Sequence, residues 1–148
     1  MNKLDFESIK NIQINVMDKF FKACEENEVH AFLYYGSLIG AIRHEGYIPW
    51  DDDIDVAMPR VDYEKIKNIN LEKYGLRLVM PNFGEGSPYL MAKVYDPNTL
   101  FVENVKYNVK DLGINIDIFP IDHGFQGGFL GKIKKYYLYI LKWALVFK

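Results

Sequence analysis

The chain has 148 residues, 49% of them hydrophobic and 26% charged. That is the balance of one globular domain, and it excludes a collagen-like, disordered or disulfide-framed chain. An aromatic share of 16%, with eleven Tyr and ten Phe, gives enough bulk for a core without staples. The formal charge of −2 hides a split: residues 1–125 carry 13 Lys and Arg against 20 Asp and Glu, and residues 126–148 carry five Lys and no acid. A basic, aromatic end on an acidic body points to a membrane surface, an anionic partner or an element separated from its context.

The pattern predicts these elements in chain order. Over residues 4–27, Ile9, Ile12, Val16, Met17, Phe20 and Cys24 recur at three- and four-residue steps, an amphipathic helix with Asp5 as N-cap and Glu7 in its first turn. Cys24, the single cysteine, lies on its apolar face as core filler; it forms no intrachain disulfide or cysteine-based zinc site, in keeping with a reducing compartment. The acids among the first residues are not those of a secretory signal, so the chain reads as cytoplasmic. Residues 29–35 form an apolar run suited to a buried strand that ends at Gly36-Ser37, and residues 37–44 a short helix stopped by Gly46 and Pro49.

Residues 53–58 alternate acid and apolar side chains as a strand does, until Pro59, and residues 62–69 resume helical spacing. Three more strands are predicted over 76–80, 89–95 and 99–105, and another alternating one over 113–119. After Gly127-Gly128 the pattern from residue 129 to the end is helical, with apolar stretches too short for the ~20 residues of a membrane span. The class is α/β (α+β), a mixed sheet flanked by helices. Residues 1–125 read as a mixed α/β body and 126–148 as the start of a helical region.

Asp51-Asp52-Asp53-Ile54-Asp55 is the most informative segment. On a strand, residues two apart share a face, so Asp53 and Asp55 project together while Ile54 and Val56 face a core. Two carboxylates held this close repel each other unless a hard divalent cation sits between them, which suits phosphoryl or nucleotidyl chemistry. In 113–119 the residues Ile114, Ile116 and Ile118 take one face and leave Asn115 and Asp117 on the other. Asp117 is thus a candidate third carboxylate for the same metal, or an acceptor for a hydroxyl proton. Gly36-Ser37, at a helix start, offers backbone N–H groups and a hydroxyl to a phosphate.

A calcium loop fails on spacing: Val56 stands at the sixth position where Gly is required, and Asp62 at the twelfth where Glu is expected. Arg43 is a candidate diphosphate clamp, and Lys93 is either a phosphate contact or a snorkelling edge residue. His44 and His123 have no other His at metal spacing and read as structural. Trp50 is placed to stack on a base or cap the core. The acidic body and small basic cluster argue against nucleic acid.

Residues 36–60, from Gly36-Ser37-Leu38-Ile39-Gly40 through Trp50-Asp51-Asp52-Asp53-Ile54-Asp55 to Pro59-Arg60, resemble the signature of the LicD family, which includes the fukutin-related proteins; residues 113–122 are similar to its second block. The resemblance implies a polymerase-β-like nucleotidyltransferase core using Mg²⁺ (or Mn²⁺). It implies that Asp53, Asp55 and Asp117 are the metal-binding and catalytic carboxylates and Gly36-Ser37 a phosphate-binding turn. Family members move a phospho-alcohol, such as phosphocholine from CDP-choline, onto a hydroxyl of a cell-surface glycan, in lipopolysaccharide or teichoic acid modification. They usually continue for another hundred or more residues, which implies incomplete donor and acceptor pockets here and turns the basic end into an exposed core face. Peripheral membrane contact through residues 129–148, at the inner membrane surface, is the competing expectation. The alternatives are a nucleotidyltransferase using an NTP and a non-catalytic remnant.

Overall fold

The computed structural model describes residues 4–81, 90–101, 112–123, 131–133 and 136–137. Helix α1 runs Phe6–Glu26; Asp5, in extended backbone, caps it by accepting the Ser8 N–H at 2.7 Å, which satisfies one of the donors a helix start leaves open. Its buried residues Gln13, Val16, Phe20, Ala23 and Cys24 trace one helical face, the stripe expected from the periodicity with one polar member added. Cys24 is buried, and burial pushes its thiol up to about 12. It is core filler.

Strand β1 (Phe32–Leu33) is followed by helix α2 (Tyr35–His44), strand β2 (Asp55–Pro59), helix α3 (Arg60–Lys65) and two 3-10 turns, Ile66–Asn68 and Leu71–Tyr74. Strands β3 (Arg77–Val79), β4 (Ala92–Tyr95) and β5 (Asn115–Ile121) complete a five-stranded mixed sheet in the order β1-β2-β5-β4-β3. Among the described residues, only the β2–β5 pairing is parallel. The connection between these two strands is long enough for a parallel return, and it carries β3 and β4 to the far side of β5.

One face of the sheet makes the core. Ile54, Val56 and Met58 around β2, Ala92 and Val94 on β4, and Ile116 and Ile118 on β5 pack with Val16 and Phe20 of α1 and with Tyr63 of α3. The period-2 alternation of β5 therefore leaves Asn115, Asp117 and Phe119 on the opposite face.

Several predicted strands are shorter than expected: 76–80 forms Arg77–Val79 and 89–95 forms Ala92–Tyr95. The run 29–35 contributes only Phe32–Leu33 to the sheet, because β1 is an edge strand that leaves its ladder at Tyr34 to start α2. Of the strand expected over 99–105, Phe101 pairs with Leu112, and residues 102–111 lie outside the described residues. The helix expected from residue 129 lies mostly outside them too; residues 131–133 and 136–137 are helical. Among the described residues, no helix is long and apolar enough to cross a membrane.

Phe20 is fully buried and Val61 is 67% exposed. Phe20→Ala is expected to cost about 3–5 kcal/mol of stability in urea titrations, and Val61→Ala under about 0.5 kcal/mol.

Candidate active site

Strand register assembles a single row of side chains on the face away from the core. Asp55 on β2 is the Cα partner of Asp117 on β5, and Asp117 is the partner of Lys93 on β4. Neighbouring strands lie about 4.8 Å apart, so two carboxylates and an ammonium stand side by side. Lys93 Nζ donates to Asp117 Oδ1 at 2.6 Å and to Asn115 Oδ1 at 3.1 Å. It is only 7% exposed, on a strand flanked by β5 and β3. The snorkelling edge residue expected at this position is thereby corrected: β4 is internal, and a buried lysine needs the acid beside it.

At the other end of the row the ladder is spliced into a helix. Tyr34 N–H donates to the Asp55 carbonyl at 2.9 Å, but the Asp55 N–H donates to Ser37 Oγ at 2.9 Å. The Tyr34 carbonyl, which would have received that N–H in a continued ladder, accepts from Leu38 N–H at 3.1 Å and so opens α2. Gly36-Ser37 is therefore not a turn ahead of the helix, as its residue types suggested, but the first turn itself. A Cβ at Gly36 would lie 2.5 Å from Asp51 Oδ2, so the missing side chain admits a carboxylate of the acid loop.

That loop holds the tightest acid cluster among the described residues: one carboxylate oxygen from each of Asp51, Asp52 and Asp53 lies within 4.8 Å of the others. Asp53 stands in the loop, two residues before β2, rather than inside a strand as predicted. Its position is set from α1. Gln13, 6% exposed, donates through Nε2 to the carbonyls of Asp52 at 3.0 Å and Asn115 at 3.3 Å, and its Oε1 accepts from Tyr47 Oη–H at 2.8 Å. One buried amide thus ties the acid loop to the start of β5. Lys10 adds a bond from Nζ to the Pro49 carbonyl at 3.2 Å. Between α1 and α2 a cavity of about 400 Å³ opens beside Ser37 and Asp51, with Ile14, Met17 and Ile48 in its walls, a volume in the range of small-molecule sites.

Electrostatics binds the loop and the strands into one acidic site. Burial and the charges of Asp53, Asp117 and Asp51 push Asp55 from 3.8 up to about 6, with Lys93 acting against them. Asp53 is raised as well, by burial and then by Asp51, Asp52 and Asp117. Asp53 thus feels both the loop acids and the sheet acids. Burial, followed by the same loop acids, raises Tyr47.

The structure brings together Asp53, Asp55, Asp117, Gly36, Ser37 and Lys93. It does not bring Arg43 to the acids: it stands exposed in the last turn of α2 and forms no ion pair among the described residues. Trp50 is 80% exposed and meets His44 edge-on at 6.3 Å, so it does not cap the core. Sequence reasoning passed over Gln13 and the Asp51 carboxylate. The signal for Gln13 was a lone amide in an otherwise apolar helical stripe.

The family model described as LicD/FKTN/FKRP, nucleotidyltransferase domain, matches residues 28–130. The chain belongs to this family. Lipopolysaccharide cholinephosphotransferase LicD of Haemophilus influenzae is 44% identical over 103 residues, 67% of this chain and 38% of that protein. An uncharacterized protein of Rickettsia typhi is 25% identical over 142 residues, 82% of this chain and 44% of its own length. Mannosyltransferase regulator 4 of Saccharomyces cerevisiae is 28% identical over 126 residues, 79% of this chain and 10% of that protein. The chain spans less than half the length of each of these relatives. The matched region of this LicD-family domain holds every acid of the site, whereas Gln13 precedes it.

The raised carboxyl of Asp55 has a definite linkage sign. Its folded pKa of about 6 lies above the 3.8 of the free side chain, so the folded chain binds more protons between these values and stability falls as pH rises through them. In chelator, thermal midpoints from pH 4 to pH 7 should fall more steeply for the wild type than for Asp55→Asn, which cannot ionise. Parallel curves would mean that Asp55 carries no such strain.

Proposed function

We propose that this domain is a Mg²⁺-dependent phosphotransferase (Mn²⁺ serving equally) that moves phosphocholine from CDP-choline onto a hydroxyl of a cell-surface glycan, as in lipopolysaccharide or teichoic acid modification. The observation that carries the reading is the convergence of Asp53, Asp55 and Asp117 on one face, beside the first turn of α2, in a chain similar to a lipopolysaccharide cholinephosphotransferase. The donor set fits the ion: crowded, partly buried carboxylates are hard oxygen ligands, and their mutual repulsion, visible in Asp55, is relieved by a divalent charge. Asp53, Asp55 and Asp117 would hold it, with Asp51 close by, and it would neutralise charge on the diphosphate.

The chain's own groups supply positioning and a proton acceptor. The acceptor hydroxyl attacks the phosphorus that bears choline, the bond from that phosphorus to the bridging oxygen of CMP breaks, and CMP leaves. The hydroxyl proton passes to a carboxylate of the Asp55–Asp117 row and then to solvent. Lys93 keeps Asp117 in place through its 2.6 Å bond, and Ser37, holding the Asp55 N–H, keeps β2 against the helix start, where anions are favoured. Such catalysis is mostly positioning and charge stabilisation. In this reading the reaction takes place on the cytoplasmic side, where nucleotide donors are made.

With CDP-choline, Mg²⁺ and a glycan acceptor, the chain should release CMP, and Asp53→Asn or Asp55→Asn should lower that release on the order of 10²-fold or more. Pyrophosphate release from an NTP would instead mark a nucleotidyltransferase, and turnover that survives both changes removes the metal assignment. Gly36→Ala tests the acid loop separately. Its Cβ displaces Asp51, so the Mg²⁺ concentration for half-maximal rate should rise about tenfold while the thermal midpoint stays within a few degrees of wild type.

A further inference from the structure

Beside the acid row, on the same face of the sheet, lies a group of aromatic rings that the core does not use. Phe119 follows Asp117 by two residues on β5 and is the Cα partner of Ala57, which follows Asp55 by two residues on β2. Its ring therefore rises from the carboxylate face about 6.7 Å further along the strands. Tyr34 stands next to Asp55 through its backbone bond, and Tyr35 follows it at the start of α2. The Tyr34 and Tyr35 ring centroids are 4.1 Å apart; Tyr35 and Phe119 are 5.6 Å apart with their planes at 84°, and Tyr34 and Phe119 are 6.1 Å apart.

Two features set this cluster apart from ordinary packing. Tyr35 is 58% exposed although it is large and aromatic, and its backbone sits at φ +41°, in the left-handed region that a side chain as bulky as tyrosine rarely adopts. The chain accepts that strain where it turns from strand to helix, and the result is a ring held out over Phe119 instead of one folded into the core.

We infer that Tyr34, Tyr35 and Phe119 form an aromatic corner that receives the quaternary ammonium of the donor. Ring faces attract such cations through their quadrupole, and assemblies of two or three aromatic rings are the usual device for methylated ammonium groups. In a phosphocholine donor four bonds separate phosphorus from the ammonium nitrogen, a reach of the same order as the two-residue step between the acid row and Phe119. The inference rests on the phosphocholine reading and deepens it: the corner selects a permanent cation over a neutral alcohol of the same shape.

Calorimetry in Mg²⁺ with three probes tests it: CDP-choline, its uncharged isostere CDP-3,3-dimethylbutanol, in which carbon replaces nitrogen, and CDP. The wild-type chain should bind CDP-choline about tenfold tighter than the isostere. Tyr35→Ala and Phe119→Leu should each bring that ratio close to one, while Tyr35→Phe, which keeps the ring, retains it. Because the readout is a ratio on one sample, lower stability of a variant does not imitate the result. Equal binding of the two probes by wild type, or a ratio that survives Tyr35→Ala, overturns the corner while CDP binding still supports the donor site. Failure of the wild type to bind CDP at all overturns the donor reading itself, and the corner with it.

Discussion

The parallel pairing of β2 with β5 places Asp55 directly beside Asp117, and much of the molecule around the site follows from what that costs. Two ionised carboxylates about 5 Å apart repel by roughly 3 kcal/mol at an effective dielectric of 20, before the loop acids are counted. Lys93 answers from the next strand with a bond to Asp117 at 2.6 Å. Burial, then the charge of Asp53 and then that of Asp117 hold the proton on Asp55 up to about 6. A fold selected only for stability would have put apolar residues in this row. An energetically unfavourable row of acids on a well-packed sheet points to function rather than stability, and it is the row for which we propose a divalent ion.

The acid loop depends on a different kind of support. Asp51, Asp52 and Asp53 lie outside any strand, so no ladder fixes them, and their mutual repulsion works to open the loop. What opposes it is backbone carbonyls held by neighbouring side chains: Gln13 on Asp52 and Lys10 on Pro49. Both come from α1, which also packs Val16 and Phe20 into the core. The helix thus links core and site rigidly. The buried amide of Gln13 has both a donor pair and an acceptor engaged, the condition under which a buried polar group rigidifies its surroundings rather than weakening them.

The legibility of these features in the sequence follows their range. α1, with its cap at Asp5, and the alternation of Ile114, Ile116 and Ile118 against Asp117 depend on local periodicity, and both are found where expected. Asp53 was expected inside the strand and instead precedes it, yet its charge still acts on Asp55 ahead of that of Asp117, the strand partner 62 positions away. Of the two readings of Lys93, a phosphate contact and an edge residue, the second arose because nothing nearby in the chain shows that β4 is flanked on both sides. Gly36-Ser37 suggested a turn because Gly and Ser commonly make turns. Here the helix begins earlier, and Gly36 serves by making room for Asp51, a tertiary fact.

The strand-to-helix splice at Tyr34 connects these parts more tightly than their sequence positions suggest. In a continued ladder the Asp55 N–H would donate to Tyr34, Tyr35 would extend the edge strand, and its ring would alternate to the core face. Handing that N–H to Ser37 frees the Tyr34 carbonyl for the first turn of α2, and the positive φ of Tyr35 is what lets the chain turn there. The same few bonds therefore fix the backbone of Asp55, place a helix start against Asp51 and hold the Tyr35 ring on the carboxylate face. An acid site and an aromatic corner that share one splice have their spacing set by the backbone, as the proposed recognition of a phosphocholine donor requires.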